Sequence, residues 1–223
     1  MTTEVLRSAA AHVLVDDIVT PVLSDDDAHH VFRVLRVRPG EVVTVTDGLG
    51  RWRSCRAGDR EIEPSGEIHE VARRATPLTV AFAIPKQDRP EWIVQKLTEL
   101  GVDRIVVLHA ERSVVRWNEE RAARHLTKLR RVAAEALQQS RGVWLPEIEG
   151  PIPAAELLPE AAAAEPGADP IGAGHTTVAI GPEGGWSAAE LAVAATTVSV
   201  GATVLRVETA AIVAGARMLM HAE

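Results

Sequence analysis

Residues 177–187 of this 223-residue chain read TVAIGPEGGWS. The first four residues form an apolar run that is typical of a buried strand. Three glycines and a proline follow, and glycine lets the backbone approach a ligand closely because it has no Cβ. Ser187 and Glu190 have the spacing of a capping box, which indicates the start of a helix. Strand, glycine loop and helix together predict an α/β protein with a pocket for a nucleotide-like molecule.

An alternation of strands and helices extends on both sides of this stretch, from residue 77 to the C terminus. We predict strands at 78–84, 104–108, 176–180 and within 198–207, and helices at 89–100, 119–139, 187–194 and 209–221. Such an alternation predicts a mostly parallel sheet that is covered on both faces. Residues 151–174, rich in Pro, Ala, Glu and Gly, are interpreted as a flexible surface connection with a short helix and no chemistry.

The N-terminal third has a different pattern, with short strands and turns. Ser24 and the three aspartates after it predict a short helix that runs to Leu35. Strands are predicted at 41–46, at 51–57 and near 66–71. Short strands at this spacing suggest a small barrel. We therefore predict two domains, residues 1–75 and residues 76–223.

Composition excludes several classes of protein. The single cysteine, Cys55, cannot form an intrachain disulfide, which fits a reducing cytoplasm. Because the sequence has no apolar run of about 18 residues and no signal peptide, we predict a cytoplasmic protein without a membrane partner. P-loop and dinucleotide-binding fingerprints are absent. The eight histidines and one cysteine form no zinc-type cluster, so no metal is expected.

The distribution of charge points to a polyanionic partner although the net charge is −7. Residues 104–141 carry nine basic and four acidic side chains, and residues 29–56 carry six arginines and two acids. The long predicted helix has an apolar stripe on one side and a basic stripe on nearly the opposite side. The apolar stripe is Ala122, Leu126, Leu129, Ala133 and Ala136, and the basic stripe is Arg121, Arg124, Lys128 and Arg131. By its spacing, Glu135 is interpreted as the one acid that can neutralise these cations. The basic stripe therefore suits either a solvated surface or contacts with RNA phosphates.

With these residues in view, the chain resembles the ribosomal RNA small subunit methyltransferase E family, SPOUT-class enzymes that use S-adenosylmethionine. The resemblance covers nearly the whole chain. It is carried by KQDR at 86–89, TELG at 98–101, ERS at 111–113, GPEGG at 181–185 and LRVETA at 205–210. The segment 30–40, with Val34, Leu35 and Arg36, is similar to the family's PUA-like RNA-binding domain. The glycine loop followed about twenty residues later by LRxETA makes the match specific.

The resemblance implies a C-terminal parallel sheet with a deep trefoil knot, a PUA-like N-terminal β-barrel and a homodimer. It implies methylation of N3 of one uridine in 16S ribosomal RNA, on the assembled 30S subunit, with S-adenosylmethionine as cofactor. The expected cofactor-binding residues are Gly181, Pro182, Glu183, Gly184, Gly185, Leu205, Arg206, Glu208, Thr209 and Ala210. The expected catalytic residues are Arg206 and Arg112, while Glu183 and Glu208 are candidate bases or orient backbone amides. RNA contacts are expected from Arg33, Arg36, Lys86, Arg89, Arg121, Arg124, Lys128, Arg131, Gln139 and Arg141.

One position departs from the family's pattern. The family usually has Glu-Gln-Ser-Gly-Arg where residues 138–142 read QQSRG, so that arginine and glycine are exchanged. We keep Arg141 as an expected RNA contact and not as a catalytic residue. Two other functions stay open, a non-catalytic RNA-binding or ribosome assembly factor with a vestigial pocket, and a methyltransferase that acts on tRNA.

Overall fold

A computed structural model of the protein describes residues 2–85 and 89–222. Lys86, an expected RNA contact, lies outside the described residues. The chain forms two compact units, Met1–Arg74 with Ala134–Leu145 and Ala75–Ala133 with Pro146–Glu223. The division into domains at residues 75 and 76 stays a prediction. No helix of the described chain is long and apolar enough to cross a membrane.

The first unit is built on a small mixed sheet. Its elements are α1 (Thr2–Ser8), β1 (Ala11–Leu14), α2 (Asp25–His29), a π-helical turn (His30–Val34), β2 (Val42–Thr46), β3 (Arg51–Ala57), β4 (Ile62–Pro64) and β5 (His69–Glu70). The strand order is β1-β2-β3-β4, and β5 also pairs with β3. β1 runs parallel to β2, and the other pairs are antiparallel.

Local signals account for much of this unit. The Ser24 hydroxyl accepts a hydrogen bond from the Asp27 amide at 3.1 Å, which confirms the predicted helix start. β3 has the predicted bounds, and valines of β1 and β2 pack with the buried Cys55 in its core. α1 and β1 were missed. The strand predicted near residues 66–71 is present but shorter, as β5, and β4 was missed.

The second unit contains a six-stranded sheet in which every pair of strands is parallel, as predicted. Its strand order is β11-β9-β10-β6-β7-β8. The strands are β6 (Thr79–Ala83), β7 (Arg104–His109), β8 (Glu147–Pro153), β9 (Ala162–Ala164), β10 (Thr177–Ile180) and β11 (Thr196–Val198). The helices are α3 (Arg89–Leu100), α4 (Glu119–Ser140, which passes into the first unit), α5 (Ala154–Leu157), α6 (Ala188–Val193) and α7 (Val207–Met220), and a 3₁₀ turn spans Leu158–Glu160.

The central strands place the glycine loop. β10 lies between β6 and β9, with Val178 opposite Val80 on one side and Ala162 on the other. Val178, Ala179 and Ile180 are buried, as a strand covered on both faces requires. The carboxyl ends of β9 and β10 therefore lie next to each other, and ligands of open α/β sheets bind at such ends.

Two interpretations of the C-terminal half are wrong. The short helix predicted within residues 151–174 is confirmed as α5, but these residues are not a mere surface connection, since they also contain the end of β8 and the interior strand β9. The last strand is Thr196–Val198, so the predicted strand within 198–207 is mostly loop. β9 was missed because it is three alanines long, and alanine is depleted in strands.

Candidate functional site

A cavity of about 370 Å³ lies in the second unit at the carboxyl ends of β9 and β10. This volume is in the range of pockets that hold small molecules. Three segments line the cavity, one after β9, one after β10 and one before α7. The lining residues are Ala164, Glu165, Pro166, Ile180, Gly181, Pro182, Glu183, Gly185, Trp186, Val200, Gly201, Thr203, Val204, Leu205, Arg206, Val207 and Ala210.

The glycine loop forms a fixed wall of the cavity. A Cβ on Gly181 would lie 3.0 Å from Cε2 of Trp186, so a side chain at this position would require the buried indole to move by a few tenths of an ångström. Trp186 Nε1 donates to the Ala164 carbonyl at 3.1 Å and so ties this loop to the end of β9. Gly185 has a φ of +69°, which favours glycine, and the space beside its α-carbon is open.

The helix after the loop begins as predicted. Ser187 is the N-cap of α6, and its hydroxyl accepts from the Glu190 amide at 3.1 Å. The Glu190 carboxylate accepts from the Ser187 amide at 2.9 Å, which completes the capping box. Its other oxygen accepts from the Glu111 amide at 2.9 Å, in the loop after β7.

The segment before α7 forms a more open wall. Val204 is 84% exposed, and Thr203 and Arg206 are exposed as well. Arg206 is the N-cap residue of α7, but its side chain makes no capping hydrogen bond. Among the described residues no side chain or carbonyl pairs with its guanidinium. The positive charge of Arg206 is therefore available to a ligand.

Seven of the ten expected cofactor-binding residues line the cavity. The three that do not are Gly184, Glu208 and Thr209. A Cβ on Gly184 would lie 3.3 Å from that of Arg112, so Gly184 borders the loop after β7 instead. Glu208 is buried and pairs with Arg89 at 3.1 Å. That ion pair joins an expected cofactor residue to an expected RNA contact.

The sequence did not predict the third wall of the cavity, formed by Ala164, Glu165 and Pro166. These residues lie in the alanine-rich region that was interpreted as a connection, and no local motif marks them. Trp186 and the segment 200–204 were also missed as lining residues. Position was a usable signal for the segment 200–204 alone, because it lies between the two ligand-binding motifs, whereas residues 164–166 precede both.

The two expected catalytic arginines lie in different surroundings. Arg206 lines the cavity. Arg112 is exposed and donates from Nη1 to the Gly184 carbonyl at 3.2 Å, on the glycine loop but not in the cavity lining. Arg206 therefore belongs to the cavity wall, whereas Arg112 contacts the glycine loop outside the cavity lining.

More cations of the basic stripe of α4 are paired with acidic side chains than the spacing predicted. The apolar stripe faces inward as predicted, with Leu129 and Ala133 fully buried. Taking Glu135 as the one neutralising acid was wrong, because Glu120 lies 3.7 Å from Arg124 and Glu91 lies 2.7 Å from Lys128. Glu120 is at the i−4 position and was overlooked, whereas Glu91 comes from α3 and has no local signal. Arg121 and Arg131 are exposed on this face.

The expected RNA contacts in the first unit differ in whether their side chains are exposed to solvent. Arg33, Arg36 and Gln139 are exposed, and Arg36 has a left-handed φ of 57°. Arg141 also has a left-handed φ, of 61°, but its Nη2 donates to the Ala9 carbonyl at 2.9 Å and its Nη1 is buried. Burial lowers the pKa of this guanidinium.

A buried histidine lies beside Arg141. His12 Nε2 is 2.8 Å from the Gly142 carbonyl and Nδ1 is 2.9 Å from the Thr44 hydroxyl. Because a carbonyl only accepts, Nε2 carries the proton and Nδ1 accepts from Thr44. Burial, helped by the charge of Arg141, lowers the pKa of His12 to about 4. The imidazole is therefore neutral at pH 7 and serves the structure of this unit.

No group of three or more His, Cys, Asp or Glu side chains in residues 2–85 and 89–222 is placed to hold a metal ion. The chemistry of the cavity thus depends on its glycines, its apolar walls and three charged residues, Glu165, Glu183 and Arg206. Such a cavity can hold a small molecule with both apolar and charged parts.

Comparison with known proteins agrees with this geometry. An RNA methyltransferase domain matches residues 72–219, and an RNA methyltransferase PUA domain matches residues 23–56. The ribosomal RNA small subunit methyltransferase E of Mycobacterium bovis is 32% identical, over 90% of this chain and 86% of the relative. The protein of the same name from Synechocystis sp. is 29% identical, over 89% of this chain and 72% of the relative.

A solved structure has the same fold. The crystal structure of a ribosomal RNA small subunit methyltransferase E from Neisseria gonorrhoeae, bound to S-adenosyl methionine, superposes with a TM-score of 0.77 at 28% identity. The match covers 94% of this chain and 97% of the Neisseria chain. The resemblance read from the motifs is confirmed, and the chain belongs to the ribosomal RNA small subunit methyltransferase E family.

Proposed function

We propose that this protein transfers a methyl group from S-adenosylmethionine to small-subunit ribosomal RNA. The observation that carries the proposal is the convergence of two separate motifs on one cavity. The glycine loop at 181–185 and the segment 205–210 lie about twenty residues apart in sequence, and both border the same space. Membership of the family and the cofactor bound to the Neisseria relative support the same cofactor here.

The cavity suits this cofactor chemically. Ile180, Val200 and Leu205 offer apolar surface to an adenine ring, and Gly185 offers bare backbone with open space beside it. Glu165 and Glu183 supply carboxylates for the hydroxyl, ammonium and sulfonium groups of the ligand. When bound, the cofactor supplies a methyl group activated by a cationic sulfur.

Arg206 has the principal role in the reaction that we propose. Methylation of N3 of a uridine requires loss of the N3 proton, and negative charge then develops on O2 and O4 of the base. A guanidinium at the edge of the cavity, without an internal partner among the described residues, is available to stabilise that charge. Arg112, held on the outer side of the glycine loop, is proposed as the second cation.

Of the two candidate bases, Glu183 fits better than Glu208. Glu183 is exposed and lines the cavity, so its carboxylate can take the N3 proton directly or through a water. Glu208 is buried and paired with Arg89. We propose that Glu208 has a structural role in orienting the first turns of α3 and α7.

Membership of the family supports the finer parts of the proposal. We propose a deep trefoil knot in the methyltransferase domain 76–223, a closed PUA-like barrel in the domain 1–75 and a homodimer. The exposed Arg33 and Arg36 lie within the PUA match and are proposed RNA contacts, together with the basic stripe of α4. The proposed substrate is the assembled 30S subunit in the cytoplasm.

Methylation of defined RNAs tests the proposal. The purified protein with labelled S-adenosylmethionine is offered undermethylated 30S subunits, naked 16S ribosomal RNA or tRNA, and the products are digested for nucleoside mass spectrometry. We expect 3-methyluridine, formed fastest on 30S subunits. Methylation of tRNA alone would identify a tRNA enzyme. Absence of any transfer, with RNA still bound, would identify a non-catalytic RNA-binding factor.

A further inference from the structure

Glu190 makes more hydrogen bonds than a helix cap requires. The residue is 2% exposed, and each oxygen of its carboxylate accepts from a different backbone amide. One amide belongs to Ser187, three residues earlier, and is the capping-box partner. The other belongs to Glu111, 79 residues earlier, in the loop after β7. The carboxylate therefore joins the end of the glycine loop to a second loop of the sheet edge.

The second loop presents Arg112, the residue next to Glu111. Arg112 Nη1 donates to the Gly184 carbonyl at 3.2 Å, and its Cβ lies against the α-carbon of Gly184. The loop's own bonds join Ala110 to Ser113, at 3.1 and 3.2 Å, and Arg116 Nη2 donates to the Ala110 and Glu111 carbonyls at 3.1 and 3.4 Å. The Glu190–Glu111 bond joins this loop to the helix that follows the glycine loop, next to an exposed arginine.

We propose that Glu190 is a positioning residue for methyl transfer, which holds Arg112 against the glycine loop through the Glu111 amide. The inference rests on the proposed function, because it concerns an arginine that acts on the RNA. Arg112 outside the cavity wall can stabilise charge on a base only if its backbone is fixed with respect to that wall. Small displacements of a catalytic group lower the rate strongly, so the anchor should affect the rate more than cofactor binding.

Glu190→Gln tests the anchor with little change in volume. An amide side chain has one acceptor oxygen, and its NH₂ group would face a backbone N–H, so only one of the two bonds survives. Ser187→Ala is the matched control, because it removes the hydroxyl of the cap and leaves both backbone amides that Glu190 binds. The two variants separate the cap from the anchor.

Single-turnover methylation of 30S subunits is measured for these variants in the wild-type and Arg112→Ala backgrounds. We expect Glu190→Gln to lower the rate about tenfold while the Kd of S-adenosylmethionine changes less than about twofold. In the Arg112→Ala background the same substitution should add less than about twofold, because the two residues act as one unit. Ser187→Ala should keep a rate near that of the wild type.

Three results would overturn the proposal. They are an equal loss of rate in both backgrounds, a loss of cofactor affinity as large as the loss of rate, and a Ser187→Ala rate as low as that of Glu190→Gln. If Glu190→Gln does not fold, Glu190→Asp serves instead, since its shorter side chain cannot span both amides. The same dependence on Arg112 is expected of it.

Amide hydrogen exchange separates a failure of the inference from a failure of the proposed function. Exchange of the Glu111 amide needs no RNA, and it should quicken in Glu190→Ala, which removes both acceptor oxygens, but not in Ser187→Ala. If the wild type methylates no ribosomal RNA, the proposed function fails by itself. Unchanged exchange at Glu111 in Glu190→Ala would overturn the anchor whatever the enzyme methylates.

Discussion

The turn that enters α7 and the turn that leaves α4 each carry an arginine, Arg206 and Arg141, in opposite surroundings. Arg206 is exposed at a cavity and has no partner among the described residues. Arg141 is half-buried and donates to the Ala9 carbonyl. Both were expected to serve the RNA or its chemistry. The difference shows that the role of an arginine depends on where the local backbone directs its side chain.

Arg141 has a left-handed backbone conformation, and its contact with Ala9 directs its side chain inward. It has a φ of 61°, at the position where the family usually has glycine. A Cβ on the next residue, Gly142, would lie 2.7 Å from Cδ1 of Leu137, so a side chain there would require the buried Leu137 to shift. The exchange of arginine and glycine therefore leaves the turn intact, at the cost of a left-handed arginine whose side chain is used internally.

The largest effect that separates the two arginines is expected at Arg206. Arg206→Ala should lower the single-turnover rate of methylation by about 10²- to 10³-fold, the effect of removing a charge-stabilising donor. The melting temperature should stay unchanged, because the side chain has no partner in the described chain. A normal single-turnover rate for Arg206→Ala would refute the role that we give to this residue.

The surroundings of Arg141 predict a dependence of stability on pH. His12 has a pKa of about 4 in the folded protein against 6.5 for a free side chain, so the unfolded chain binds more protons between these values. Stability should therefore fall as the pH drops from 6.5 to 4, by up to about 3 kcal/mol. Urea unfolding at several pH values measures this. His12→Gln should flatten the dependence in this window, and an equally steep curve would exclude His12 as its source.

Arg141→Ala should affect stability more than RNA binding. The substitution leaves the Ala9 carbonyl without its donor, and we expect a loss of about 1–2 kcal/mol in the free energy of unfolding. The pKa of His12 should rise slightly, since a neighbouring positive charge is removed. NMR titration and filter binding measure the two effects. A large loss of RNA affinity with unchanged stability would show instead that Arg141 contacts RNA.

The smallest effect is expected for the cations of α4. Their side chains are neither as unpaired as that of Arg206 nor as buried as that of Arg141. Arg121→Gln should weaken RNA binding several-fold and reduce the slope of log K against log salt by about one. Lys128→Gln should weaken it less, because Glu91 already neutralises Lys128 at 2.7 Å. Cofactor affinity should stay unchanged in both variants. Equal salt slopes for the wild type and Arg121→Gln would remove Arg121 from the RNA-binding surface.

Local sequence patterns predicted the parts of the site that depend on neighbours in the chain. α3 has its predicted bounds, and the capping box of Ser187 and Glu190 has its predicted partners. Each of these features depends on residues within a few positions, so a single segment contains the whole signal.

The rest depends on contacts between distant segments, which spacing does not encode. β9 consists of alanines and takes its place from the strands on either side of it. The ion pair of Glu91 with Lys128 joins elements far apart in the sequence, and so does the hydrogen bond from the Glu111 amide to the Glu190 carboxylate. Without such contacts the direction of Arg141 and the third wall of the cavity were not predictable.

Trp186 gives the pocket an intrinsic optical reporter. The chain has five tryptophans and no tyrosine, so the emission after excitation of the indole absorption band comes from tryptophan alone. Trp186 lines the cavity, and its Nε1 donates to the Ala164 carbonyl, so the ring is held in one place. A ligand that enters the cavity therefore changes the surroundings of the indole. Binding of a small molecule can thus be followed by fluorescence without a label, and Trp186→Phe supplies the blank.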